Sequence, residues 1–160
     1  MKVFITTLTL LCTSMSLFAD RTIPATPEEL SERAERAFAN ADEEIEVIIA
    51  IPDDKRTFEN TLGALDDMMA RLDDAANVAV FMQYVHPDAS IRDAAQDVGQ
   101  LWSDWAIDFE TNLDLYNAVK AFADTNPELI GEQARMLAHT MRDYRRSGMA
   151  LSVEDRETLT

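Results

Sequence analysis

The chain has 160 residues, 47% of them hydrophobic, which allows one globular domain with a core of its own. It contains only four glycines and five prolines, too few for a loop-rich β-sandwich or a disordered chain. A formal net charge of −16 argues against binding to nucleic acid or to an anionic membrane, because both surfaces are themselves negative.

Residues 1–19 are typical of a secretory signal peptide. Lys2 supplies the positive charge, a short apolar run follows, and Ala19 precedes a plausible cleavage site. The alternative is an uncleaved anchor, although the run is short and rich in threonine for a membrane span. The only cysteine, Cys12, would leave with this peptide. We therefore expect an exported protein, of the bacterial periplasm, whose mature chain 20–160 has no disulfide and no thiol nucleophile.

The first predicted helix begins with several signals at once. Thr26 is a good N-cap, Pro27 fits the first helical position, and Glu29 completes a capping box. Pro52 ends the helix. Apolar residues recur between these points at three- and four-residue steps and predict one buried stripe on an acidic rod: Leu30, Ala34, Ala37, Phe38, Ala41, Ile45, Ile48 and Ile49.

A second helix is predicted from about Thr57 to Tyr84, with a break at His86 and Pro87. Its predicted buried face consists of Leu62, Leu65, Met68, Met69, Leu72, Ala76, Val80 and Met82.

A third helix is predicted from near Ser90, and its apolar pattern extends, with a bend, as far as Phe122. Asn126 and Pro127 form the next break. The apolar residues of its first part are Ile91, Ala94, Ala95, Val98, Leu101, Trp102, Trp105 and Phe109. Those of its second part are Leu113, Leu115, Tyr116, Val119 and Phe122.

The fourth predicted helix runs from about Pro127 to Ser147, and Gly148 is a natural residue to follow its C-terminus. Its predicted apolar side comprises Leu129, Ile130, Ala134, Leu137, Met141 and Tyr144.

A further helix opens near the end of the sequence, with Ser152 as N-cap and Asp155 at the capping-box spacing. An isolated helix needs about 12–15 residues to be stable in water, more than follow this cap. We therefore expect the chain to be the front of a larger protein, with 20–160 as an incomplete helical domain.

No constellation of reactive side chains stands out. His86 and His139 have no paired-ligand spacing and are expected to be surface or interface residues. Three acidic pairs lack the alternating ligands and central glycine of a calcium-binding loop, so solvated helix faces explain them better. These pairs are Asp53-Asp54, Asp66-Asp67 and Asp73-Asp74.

Two other clusters have a structural and a functional interpretation. Trp102, Trp105 and Phe109 form either a core stripe, which their helical spacing favours, or a binding platform. We expect an exposed apolar patch along them or on the face of the fourth helix. Arg142, Asp143, Arg145 and Arg146 are interpreted as a helix-dipole and ion-pair cluster, with an anion site as the alternative. The sequence therefore predicts no catalytic, cofactor-binding or metal-binding residue in this chain.

Three segments, in order, resemble the front part of the thimet oligopeptidase family of zinc metallopeptidases. Thr57-Phe58-Glu59-Asn60-Thr61, followed by Leu65, is similar to the family's "tfeNT…L" segment. Asp114-Leu115-Tyr116-Asn117-Ala118-Val119 resembles a later "LY.a" stretch. Ala134-Arg135-Met136-Leu137 with the run 142–151 resembles "R.L…lrdfrrnGl.L".

This resemblance implies an all-α fold, in which long antiparallel helices form the N-terminal part of a larger helical metallopeptidase. Such enzymes bind one zinc ion through two His of H-E-x-x-H and a downstream Glu, and their N-terminal helices help to wall a channel that admits short peptides. The motif is absent here.

The resemblance therefore predicts an N-terminal fragment of an exported zinc-dependent oligopeptidase. It would contribute channel wall and be inactive alone, with zinc and catalysis residing in a missing C-terminal region. The alternative is a self-contained, acidic, helical periplasmic module for binding or interaction.

Overall fold

The computed structural model describes residues 23–152 and Asp155, and this part of the chain contains five α-helices and no strand. The all-α prediction is confirmed. The helices are α1 (Pro27–Ile49), α2 (Ala64–Val85), α3 (Ala89–Glu110), α4 (Leu113–Asp124) and α5 (Gly131–Arg146). The predicted signal peptide, 1–19, and its cleavage site lie outside the described residues.

Helix α1 begins as its sequence predicts. Thr26 Oγ1 accepts a hydrogen bond of 3.2 Å from the Glu29 N–H, and the Glu29 carboxylate accepts one of 2.9 Å from the Ala25 N–H. These bonds satisfy backbone donors that the first helical turn leaves without intrahelical partners. All eight residues of the predicted stripe are buried or half-buried, which confirms the buried face of α1.

Arg56 closes the C-terminal end of α1. Its side chain is only 3% exposed, and its guanidinium donates to the carbonyls of Ile48 at 2.9 Å and Ile49 at 3.0 Å. It also donates to Asp53 Oδ1 at 3.1 Å. The Ile48 carbonyl also accepts a hydrogen bond of 3.3 Å from the Ile51 N–H, just past the helix. The end of a helix leaves carbonyls without intrahelical donors, and a cation suits the negative end of the helix dipole.

The segment after Arg56 departs from the α-helix predicted from Thr57. Residues Glu59–Gly63 form a π-helical turn, in which the Gly63 N–H donates to the Phe58 carbonyl at 2.8 Å. A reciprocal cap precedes it, because Thr57 N–H donates to Asn60 Oδ1 at 2.8 Å and Asn60 N–H donates to Thr57 Oγ1 at 3.2 Å. The segment from Thr57 to Thr61, which resembles the peptidase motif, is thus part of a hydrogen-bonded junction between α1 and α2.

Helices α1, α2 and α3 pack together around the main apolar core. The buried residues of α2 agree with prediction except that Ala79 is buried where Val80 was expected, and Val80 and Met69 are half-buried. Trp105 is buried and stacks on Phe109 with 5.1 Å between ring centroids. Its indole N–H donates to Asp42 Oδ1 of α1 at 2.7 Å, which ties α3 to α1.

The predicted continuation of the third helix to Phe122 is wrong, because two separate helices occupy this region. Asn112 lies between them in an extended conformation, and its Oδ1 accepts from the Leu115 N–H at 2.9 Å. An asparagine cap competes with helix continuation by offering the next helix a better start. Helix α4 buries Leu115 and Val119 completely.

Helix α5 starts four residues later than predicted. Asn126 and Gly131 adopt left-handed conformations, with φ of 50° and 58°, and Ile130 is extended and 85% exposed. Its predicted burial is therefore wrong.

The end of α5 does match the prediction. Gly148 has φ of 82°, its N–H donates to Arg145 O, and the Met149 N–H donates to Tyr144 O. This pair of bonds is a Schellman motif, and the two residues that usually make its apolar contact, Tyr144 and Met149, are both buried.

The predicted cap at Ser152 is confirmed, since the Asp155 N–H donates to Ser152 Oγ at 3.1 Å. The remainder of that predicted helix, 153–154 and 156–160, lies outside the described residues.

Candidate functional site: a groove beside α5

A groove of about 530 Å³ separates α5 from the start of α2 and the end of α3. This volume lies within the range of about 300–1,000 Å³ that is usual for ligand sites. Its apolar walls are Leu62, Leu65, Met69, Phe109, Met136 and Tyr144. Its polar rim consists of Asp66, Glu110, Thr140, Asp143, Arg146 and Ser147.

The groove exists because α5 is held mainly at its C-terminal end. Tyr144 is the only residue within α5 that is fully buried, and its ring meets Tyr116 of α4 edge-on with centroids 5.2 Å apart. Met136, Leu137 and Met141 are half-buried against the core. The N-terminal part of α5 therefore covers the core only partly and leaves an apolar channel beside it.

The rim is predominantly acidic. Its charged residues are three acids, Asp66 of α2, Glu110 of α3 and Asp143 of α5, and one base, Arg146 of α5. Hydrogen bonds from Arg142, at 2.9 and 3.3 Å, lower the pKa of Asp143 below its ordinary value, and the positive charges of Arg142 and Arg146 add to this effect. Asp143 is therefore engaged in an ion pair with Arg142, and the rim also offers the carboxylates of Asp66 and Glu110 to a cationic group of a ligand.

The one titratable wall residue is a phenol. Burial raises the pKa of Tyr144 to about 12, because the charged phenolate would lose its hydration there. A general acid or base works best with a pKa near the working pH. Neither Tyr144 nor Asp143 meets that condition at neutral pH, so this pair is suited to contact a ligand and not to transfer protons.

Of the residues considered from sequence as metal ligands, Asp66 alone lines the groove. His139 is exposed on α5, while His86 lies after α2, where its Nδ1 accepts from the Asp88 N–H at 3.2 Å. The three acidic pairs are exposed, as solvated faces would be. Among the described residues, no three His, Cys, Asp or Glu side chains could hold a metal ion together. This part of the chain does not fit a zinc site.

The two remaining clusters are resolved by packing. Trp105 is buried, and Trp102 and Phe109 are half-buried against the core, so the core interpretation of these three residues is correct. The other place expected for an apolar surface, the face of the fourth predicted helix, borders the apolar groove beside α5. Arg142 pairs with Asp143, and Arg145 and Arg146 occupy the last turn of α5, as the dipole and ion-pair interpretation predicts.

Sequence reasoning missed Thr140 and Met136 as groove residues and Asp42 as the partner of Trp105. Spacing along α5 could have placed Met136 and Thr140 on one face, since they are four residues apart. No local signal links Asp42 to Trp105, which lie 63 residues apart.

A second surface is apolar and open to solvent on the outer side of α2. We call it the α2 patch and define it by Val78, Phe81, Tyr84 and Val85, which are 49%, 62%, 75% and 57% exposed. With Asn77 and Val80, three of these residues line a depression. The described helices include none with the length and apolar character needed to cross a membrane.

Comparison with known proteins relates this chain to peptidases. It is 29% identical to a thimet-like oligopeptidase of Dictyostelium discoideum over 141 residues, which cover 85% of this chain and 21% of that protein. It is 25% identical to a mitochondrial intermediate peptidase of Candida albicans over 139 residues, covering 82% of this chain and 17% of the relative. A mitochondrial intermediate peptidase of Lodderomyces elongisporus is 29% identical over 106 residues.

These relatives carry the names of peptidases, in agreement at that level with the resemblance seen in the sequence motifs. The chain spans about a fifth or less of the length of each one: 21%, 17% and 13%. No protein-family model matches it.

Proposed function

We propose that this chain is a wall segment of an exported, zinc-dependent oligopeptidase that hydrolyses short peptides. The groove beside α5 faces the peptide channel, and residues outside this chain hold the zinc ion and perform the hydrolysis. The chain alone binds no zinc and cleaves no peptide.

The observation that carries this proposal is the alignment with a thimet-like oligopeptidase. It takes in 85% of this chain and 21% of the relative, so nearly all of this chain corresponds to a small part of a much longer enzyme. The groove supports the proposal independently. Its apolar walls suit side chains of an extended peptide, and its acidic rim suits a peptide's amino terminus or basic side chains.

The test begins with the coding DNA. We expect an open frame that continues past codon 160 to H-E-x-x-H. The protein translated from that frame should hydrolyse a short quenched-fluorescence peptide, lose this activity to a chelator and regain it with zinc. A frame that stops after codon 160 would contradict the proposal and leave the self-contained binding module. A longer product without zinc-dependent activity would contradict the proposed peptidase function.

Two neighbouring substitutions test the role of the groove. Thr140→Trp fills the groove from its rim, whereas His139→Trp places the same ring on the exposed side of α5. In the longer enzyme, we expect Thr140→Trp to raise KM for the short peptide about tenfold with little change in kcat, as loss of uniform binding does. His139→Trp should leave both parameters unchanged. Equal effects of the two variants would show that the groove does not face the channel.

A further inference from the structure

The outer face of α2 changes character halfway along the helix. In the first half, Asp66, Asp67, Asp73 and Asp74 are exposed, as expected for a helix that faces water. In the second half, the exposed positions are the four residues of the α2 patch and Asn77. Asp74, Val78, Phe81 and Val85 follow one another at three- and four-residue steps and therefore share one face. The change from carboxylates to large apolar side chains occurs along a single continuous surface.

The opposite face of the same segment is already used. Ala76, Ala79 and Met82 are buried in the core formed with α1 and α3. The second half of α2 is therefore apolar on both sides. A helix that is apolar all round is typical of one that is covered on all sides in the complete protein. Single exposed apolar residues are ordinary, but a contiguous group with a depression beside it is typical of an interface.

A second copy of the chain is poorly suited to cover the α2 patch. Each copy has a formal charge of −16, and the α2 patch continues directly into the acidic half of the helix. Two copies that meet at this patch would bring like charges together at its edge, which costs free energy. The suitable partner has an apolar centre and basic residues opposite Asp73 and Asp74.

We propose that the α2 patch is the docking surface for the part of the oligopeptidase that lies outside this chain. This inference rests on the proposed function, because the aligned peptidases are about five times as long as the segment they share with this chain, or longer. Their additional length supplies a covalently linked partner. Docking at the α2 patch would leave the groove beside α5 open, since the two surfaces share no lining residue.

Cysteine labelling tests this docking directly. The comparison uses Val78→Cys within the patch and Asp67→Cys as the matched control on the acidic half of the same outer face. Each variant is prepared in the 160-residue chain and in the protein translated from the full open reading frame. A maleimide reagent then labels both forms, and mass spectrometry of the peptide that carries the new cysteine gives the rate. Circular dichroism confirms that each variant is folded.

We expect Val78→Cys to react about tenfold or more slowly in the longer protein than in the 160-residue chain, because docking must open before the reagent enters. Asp67→Cys should react at the same rate in both. If Val78→Cys reacts equally fast in a longer protein that shows zinc-dependent hydrolysis, the docking surface is wrong while the proposed function stands. If Val78→Cys is labelled slowly in a longer protein that does not hydrolyse the short peptide, the docking surface is supported and the proposed function is wrong.

Two further outcomes would overturn the choice of occupant. Labelling of Val78→Cys in the 160-residue chain that slows as its concentration rises would identify a second copy on the α2 patch. A reading frame that stops after codon 160 would remove the linked partner and overturn both proposals.

Discussion

Helices α2 and α5 both carry an apolar face, but they bury it to very different extents. Helix α2 has six buried residues, whereas Tyr144 is the only one in α5. Helix α5 is nevertheless the more strongly amphipathic of the two. Amphipathicity therefore predicts which face a helix turns inward, but the depth of burial depends on whether other elements cover that face. The main core covers α2, while α5 is held at one end and leaves a groove.

The largest expected effect comes from comparing one leucine in each helix. Leu72→Ala removes a fully buried side chain from α2 and should lower the free energy of unfolding by about 3 kcal/mol. Leu137→Ala removes a half-buried side chain from α5 and should cost about 1 kcal/mol, because less apolar surface leaves water on folding. Urea denaturation measures both. Equal losses would show that α5 is packed as tightly as α2.

Substitution of Arg56 tests whether its guanidinium caps the C-terminal end of α1. Arg56→Met leaves the carbonyls of Ile48 and Ile49 without their guanidinium donor and should cost about 2 kcal/mol in the same denaturation experiment. Arg36→Met is the control, since Arg36 is exposed and pairs with an exposed Glu32 on the surface. Its removal should change stability by less than about 0.5 kcal/mol. A comparable loss from both variants would contradict a capping role for Arg56.

Two glycines should respond to alanine with opposite signs. Gly148→Ala forces a side chain into a left-handed conformation at the end of α5 and should cost about 1 kcal/mol. Gly99→Ala lies inside α3, where the nearest atom to a new Cβ is Gln83 Nε2 at 3.9 Å, and should stabilise the protein by about 0.5 kcal/mol. Thermal unfolding should show a lower Tm for the first and a higher Tm for the second. An unchanged or higher Tm for Gly148→Ala would mean that α5 does not need its terminal motif, and a lower Tm for Gly99→Ala would mean that α3 does not tolerate a side chain there.

The last expected effect is a pH dependence of α5, which is absent at neutral pH and appears only in alkaline solution. Burial raises the pKa of Tyr144 to about 12 in the folded chain, above its ordinary value of 10.0. Between these values the unfolded chain has fewer bound protons than the folded one, so stability falls as pH rises. The stability that the protonated Tyr144 contributes is fully present below pH 10 and is lost as the pH rises through 12. Tyr144→Phe should remove this component of alkaline unfolding, followed by fluorescence. An unchanged alkaline profile would place the Tyr144 hydroxyl in water.

Much of the fold follows from local signals. The capping box at Thr26, the three- and four-residue spacing from Leu30 to Ile49, and the stop at Gly148 all correctly predict features of the helices. The failures lie where two local signals compete. Apolar spacing runs past Asn112 without interruption, but the asparagine side chain caps a new helix there. Pro127 can begin a helix, yet the left-handed conformations of Asn126 and Gly131 delay α5.

The groove was harder to predict than the helices, because its walls come from three helices and the junction before α2. The Arg142–Asp143 pair on its edge could be expected from adjacent charges. The approach of Met69, Phe109 and Met136 depends on how α5 lies against α2 and α3.

The sequence by itself determined that this protein is helical, where α1 and α3 begin, where α1, α2 and α5 end, and which face of α1 is buried, because caps and periodicity act over a few residues. Only the tertiary structure decided that Trp105 is covered and bound to Asp42, that α5 is half-open, and that the second half of α2 exposes Phe81 and Tyr84. The reason is that burial is a property of pairs of surfaces. A helix that is apolar on two sides does not reveal in its own sequence which side is covered by the residues around it.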